Sequence, residues 1–98
     1  MTNSTENFLQ TLEATIADRL ANPSQESYTA SLVAHGTKRV AQKVGEEAVE
    51  LALASVAGDR TEVLNEAADL VYHLLVLLQC QDISFEDVTN VLSERHPG

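Results

Sequence analysis

Two short runs of acidic residues flank Gly58. Glu46, Glu47 and Glu50 stand before it, preceded by Lys43, and Glu66 and Asp69 stand after it, followed by His73. At about 100° per residue, Glu46, Glu47 and Glu50 fall inside one helical arc of roughly 100°. Glu66, Asp69 and His73 follow i+3 and i+4 steps and stack on one face. A chain folded back at Gly58 as an antiparallel hairpin of two long helices levels the positions equidistant from the turn. Glu50 and Glu66 are each eight residues away, Glu47 and Asp69 eleven, and Lys43 and His73 fifteen. Two carboxylate pairs and a cationic pair then line one seam.

Five carboxylates at one level repel unless protons or cations neutralise them. A solvated helix face interleaves Lys or Arg at i+4, because like charges at that spacing destabilise. Residues 61–79 contain neither. Oxygen-only donors point to Mg²⁺, with Mn²⁺ as a substitute. Zinc would call for His or Cys ligands, and calcium for an EF-hand-type loop, and neither pattern is present. The metal ligands expected are Glu46, Glu47, Glu50, Glu66 and Asp69. Lys38, Arg39 and Lys43 are half of the six basic residues and lie just before the cluster. Cations beside a metal-holding group suit a polyphosphate chain, so these three and His73 are the candidate substrate contacts. The competing reading is a helical interaction module whose acidic faces are simply solvated.

The formal charge of −9 argues against a nucleic-acid coat or an anionic membrane as partner, since both need basic patches. A lone cysteine, Cys80, allows no intrachain disulfide and reads as a core or interface residue. There is no cationic segment followed by an apolar one at the N-terminus, and no apolar run of about 18 residues. The expected compartment is the cytoplasm.

The elements that must position these residues are helices in a single domain, residues 1–98. Phe8, Leu12, Ile16 and Leu20 recur every fourth residue, predicting a helix over 3–21 opened by an Asn3–Glu6 capping pair and ended by Pro23. A loop over 23–27 leads to a short helix over 28–35, stopped by Gly36. Thr37 is the expected N-cap of a long helix to residue 57, and Gly58 its natural left-handed terminator. A second long helix runs over 61–79, and Ser84 with Asp87 caps a last short one. No segment alternates with period two, so the fold is all-α. Gly45 interrupts the first long helix, either as a tolerated weak spot or where a ligand or backbone comes close. Residues 70–78 are apolar almost all round and need cover on several sides. The expectation is a helical bundle completed by a homodimer built largely on the helix over 61–79, of which this segment is the lower half.

The run Glu46-Glu47-Ala48-Val49-Glu50 followed by Glu66-Ala67-Ala68-Asp69 resembles the EExxE…ExxD signature of the all-α, MazG-like nucleotide pyrophosphohydrolases. Ser27-Tyr28-Thr29-Ala30, Gly36, the run from Lys43 to Glu50, and Asp69-Leu70-Val71-Tyr72-His73-Leu74-Leu75 narrow the resemblance to the phosphoribosyl-ATP pyrophosphohydrolases of histidine biosynthesis. The carboxylates alone would not separate these from dNTP- or NTP-cleaving relatives. The resemblance implies metal-dependent hydrolysis of phosphoribosyl-ATP to phosphoribosyl-AMP and pyrophosphate. It implies Glu47, Glu50, Glu66 and Asp69 as main ligands, with Glu46 as a further ligand or the base that activates water. Lys43, with Lys38 or Arg39, would hold phosphate. Where the family often places Lys after Tyr-Thr-Ala, this chain has Ser31. A chain of this length is expected to be the stand-alone form, without the cyclohydrolase domain fused to this activity in some organisms.

Overall fold

A computed structural model describes the backbone of residues 4–22 and 27–98, and the side chains within those spans from residue 8 onward. Five helices follow one another: α1 (Ser4–Ala21), α2 (Tyr28–Ala34), α3 (Thr37–Ala57), α4 (Arg60–Cys80) and α5 (Phe85–Arg95). No strand occurs among the described residues, and the chain is all-α. The expected Asn3–Glu6 capping pair, the stop at Pro23 and most of the 23–27 loop lie outside the described residues.

Local chemistry sets the element ends. Ser27 caps α2, its hydroxyl accepting from the Ala30 N–H at 3.1 Å. Gly36, not Thr37, is the N-cap of α3; it sits at φ 91°, a conformation L side chains rarely adopt, and Thr37 is the first helical residue. Gly58 ends α3 in the left-handed region at φ 78°, as expected. The start of α4 differs from the sequence expectation by one residue. Asp59 is its cap, accepting from the Glu62 N–H at 3.1 Å. Ser84 and Asp87 form a reciprocal capping box that opens α5. Gly45 is exposed, and a Cβ built there meets nothing within 4 Å, so no other part of the chain requires the glycine.

The core gathers at one end of the long pair. Ile16 from α1, Leu32 from α2, Val40 from α3, and Leu75 and Val76 from α4 are its buried centre. Leu12, Val71, Leu77, Cys80 and Phe85 pack around it, and burial pushes the Cys80 thiol above its ordinary range. Glu13 ties three helices together here. Its carbonyl accepts from Gln79 Nε2 at 2.7 Å and its carboxylate from the Phe85 N–H at 2.8 Å.

The other end, towards Gly58, is bare. Beyond Glu47 only Ala54 of α3 is buried, and no residue of α4 before His73 is. Val49, Leu53 and Val56, one stripe of α3, are exposed together with Leu64 of α4, and Val56 is 88% exposed. The open apolar face therefore differs from the one expected. Leu77 and Leu78 are half-buried, and Leu77 packs against the buried core. α4 is long and apolar enough to cross a membrane by length and composition alone, with mean hydropathy 1.3. In this fold it supplies two of the five central core residues and two of the three clustered carboxylates of the seam.

Asp59 fixes where α4 leaves the turn. Replacing it with alanine should lower stability by about 1 kcal/mol, the usual worth of an N-cap carboxylate. Urea titration of the D59A variant measures this, and an unchanged midpoint would contradict the cap.

Candidate metal and nucleotide site

Contacts across the α3–α4 seam run in opposite residue order. Glu50 of α3 meets Glu66 of α4, while Glu47 meets residues further along α4, Asp69 and His73. Glu50 and Glu66, and likewise Glu47 and Asp69, are equally far from Gly58 in the sequence. One oxygen each from Glu47, Glu66 and Asp69 lies within 4.8 Å of the others. Glu47 is buried, Glu66 half-buried and Asp69 exposed, so the group opens to one side.

This packing has an electrostatic cost, and Glu66 carries it. A hydrogen bond shared with the Glu50 carboxyl, then loss of solvent, then the negative charges of Glu50, Asp69 and Glu47 raise its pKa from 4.5 to about 7. Glu66 Oε2 is fully buried and no donor reaches it. Such an orphaned oxygen costs free energy unless a cation or proton satisfies it. Three clustered carboxylates with an unsatisfied buried oxygen fit a hard divalent cation, and the all-oxygen donor set suits Mg²⁺ or Mn²⁺.

His73 does not form a level cationic pair with Lys43, as the spacing suggested. It is 6% exposed and faces inward. Its Nδ1 meets both Glu47 Oε1 and the Asp69 carbonyl, the latter at 2.9 Å. Both oxygens only accept, so Nδ1 carries the proton, and in the neutral ring Nε2 accepts from the Tyr28 hydroxyl at 2.7 Å. The Tyr28 and Tyr72 rings flank His73, and Tyr72 bonds through its hydroxyl to buried Thr29. Sequence reasoning missed Tyr28 as a site residue. The Tyr28–His73 contact spans 45 positions, beyond the reach of a two-helix count.

Glu46 lies outside the three-carboxylate group. It is exposed, 4.0 Å from Lys43 Nζ, and accepts from Gln42 at 3.4 Å. Lys38 and Arg39 are exposed, and no carboxylate pairs with them among the described residues. Arg39 and Lys43 line a cavity of about 350 Å³ between α2 and α3, with Tyr28, Ser31, Leu32 and His35. Lys38 is not among its lining residues. On the Gly58 side, Glu50 and Glu66 open onto a second cavity, of about 450 Å³, with Leu53 and Glu62.

Residues 9–96 match the family described as phosphoribosyl-ATP pyrophosphohydrolase. The chain belongs to that family. It is 57% identical over 89 residues to the histidine biosynthesis bifunctional protein HisIE of Photobacterium profundum, covering 91% of this chain and 43% of that protein. The HisIE proteins of Vibrio cholerae and Yersinia pestis are each 58% identical over 89 residues, again 91% of this chain and 42% and 44% of theirs. This phosphoribosyl-ATP pyrophosphohydrolase family member thus spans less than half the length of these curated relatives.

Because its pKa is raised, Glu66 holds a proton in the folded, metal-free chain over a pH range where the unfolded chain has released it. Folding therefore binds protons between about 4.5 and about 7, and stability falls as pH rises through that window. In chelator, the wild type should lose stability relative to Glu66→Gln between pH 5 and pH 7.5. Parallel urea midpoints at the two pH values would contradict the shared proton.

Proposed function

We propose that this chain hydrolyses phosphoribosyl-ATP to phosphoribosyl-AMP and pyrophosphate, the second step of histidine biosynthesis, with Mg²⁺ as its cofactor and Mn²⁺ as a substitute. The observation that carries the reading is the three-carboxylate group at Glu47, Glu66 and Asp69 with its orphaned Glu66 oxygen, in a chain of this family. Histidine biosynthesis also appears in the names of the relatives.

Glu47, Glu66 and Asp69 hold the cation in this reading, with Glu50 completing the set through its contact with Glu66. When bound, the metal supplies positive charge for the phosphate oxygens and lowers the pKa of water. Glu46, which lies outside both the three-carboxylate group and the Glu50–Glu66 contact, is the base that takes the proton from attacking water. Lys43 and Arg39, on the cavity between α2 and α3, hold phosphate, and Lys38 extends that basic edge. The reading places the two long helices antiparallel and the enzyme in the cytoplasm.

The proposal includes a homodimer. Its support is the uncovered stripe of Val49, Leu53 and Val56 with Leu64, since soluble monomers rarely leave contiguous apolar patches in water. A second copy of the same hairpin covers it by two-fold symmetry. Sedimentation equilibrium at micromolar concentration should give at least a dimer mass, and Val56→Asp should shift it towards monomer. A clean monomer mass for the wild type would refute this part.

Pyrophosphate release from phosphoribosyl-ATP should require Mg²⁺ and stop in chelator; preference for dNTPs at equal concentration would reject the substrate assignment. Glu47→Gln and Glu50→Gln should each lose ~100-fold or more in turnover, since a catalytic metal supplies several kcal/mol and about 1.4 kcal/mol is tenfold in rate. Glu46→Gln should lose turnover yet still bind Mn²⁺. Activity within a few-fold in the Glu47 and Glu50 variants would sink the metal assignment.

A further inference from the structure

We infer that Tyr28 and His73 form a positioning pair that fixes Glu47 as a metal ligand and joins it to the basic cavity between α2 and α3. Glu47 is the most buried carboxylate of the seam, 5% exposed. His73 Nδ1 is the one donor that reaches its side chain among the described residues. A carboxylate with one oxygen held by an N–H cannot rotate freely, so His73 sets the plane in which Glu47 presents itself to a cation. Outer partners of this kind raise metal affinity by orienting the ligand.

His73 is itself held from its far side. Tyr28 bonds to Nε2 at 2.7 Å and packs edge-on against the imidazole, with ring centroids 5.7 Å apart. That bond keeps the proton on Nδ1, where Glu47 needs it. Yet Tyr28 is 50% exposed and lines the cavity that contains Arg39 and Lys43. It therefore touches both the carboxylate brace and the surface where phosphate is held in the proposed function. Whatever settles against the Tyr28 ring bears on the bond that orients Glu47, which couples substrate seating to metal holding. A purely structural pair would account for the burial of His73 but not for a link that ends on an open, cation-lined cavity.

The inference rests on the carboxylates being a metal site, so the test measures the metal alone, by electron paramagnetic resonance of Mn²⁺ titrated into folded protein. Tyr28→Phe keeps the ring and removes only the hydroxyl, and circular dichroism checks that the fold survives. It should weaken Mn²⁺ binding about tenfold or more, the usual cost of losing an outer partner. His73→Asn leaves an amide N–H where Nδ1 stood but nothing for Tyr28 to bond. It should bind Mn²⁺ more tightly than His73→Ala, and adding Tyr28→Phe to it should change nothing further. Wild-type affinity in Tyr28→Phe, or full additivity with His73→Asn, would overturn the positioning pair while leaving the metal site intact. A wild type that binds no Mn²⁺ would overturn the metal reading itself, and this inference with it.

Discussion

Mutual repulsion among carboxylates on the α3–α4 seam is the constraint around which this chain is arranged. Glu47, Glu66 and Asp69 offer oxygens within 4.8 Å of one another, and Glu50 shares a hydrogen bond with Glu66. Without a cation the seam relieves this strain with a proton, which is why Glu66 titrates near neutrality. Apart from the His73 contact with Glu47, the chain does not relieve it with its own bases among the described residues. The one Lys or Arg on α4 is Arg60, at the helix start, and the nearest lysine, Lys43, pairs with Glu46 instead. A protein under selection for stability alone would place an arginine there. Leaving the negative charge uncompensated makes sense if the compensating charge arrives from outside.

The packing divides the long pair into a covered end and a bare one, and the acidic group lies at the border. Below it, Val76, Leu75 and Val40 join Ile16 and Leu32 in the core, with Thr29, Tyr72, Tyr28 and His73 forming a polar layer directly under Glu47. Above it, Leu53, Val56 and Leu64 face solvent. This position reconciles two demands. In the proposed function the ligands need a rigid floor to stay in place, and a nucleotide needs an opening to reach them. The two cavities beside the group differ in charge as well. The one between α2 and α3 carries Arg39 and Lys43, and the one towards Gly58 carries Glu62 with Glu50 and Glu66.

Much of this was legible in the sequence, for a definite reason. A short turn at glycine makes heights computable, so equal separations from Gly58 identified Glu50 with Glu66 and Glu47 with Asp69. Height is not azimuth, however. The same counting set His73 beside Lys43, whereas His73 points inward to Glu47 and Tyr28 and Lys43 stays half-exposed. An arc of roughly 100° likewise could not separate Glu46, which faces solvent, from its neighbour Glu47, which is buried. Tyr28 stood in the family motif, but its contact with His73 was hidden because no local rule relates a residue of α2 to one of α4. The Asp59 cap, by contrast, has a local signal: an aspartate followed three residues later by Glu62 is a helix-start pattern, and it sets the start one residue before the expected 61. The apolar run over 70–78 is buried or half-buried within the chain, and the bare face lies nearer Gly58, on α3 and at Leu64 of α4.

The central claim is that Glu47, Glu66 and Asp69 together hold a divalent cation. Crystals soaked in MnCl₂ and measured on both sides of the manganese absorption edge test it directly, because anomalous density locates the ion without reference to activity. The account predicts an edge-dependent peak within ligand distance of oxygens from all three residues. A fully occupied manganese peak elsewhere, with none among these carboxylates, would contradict it.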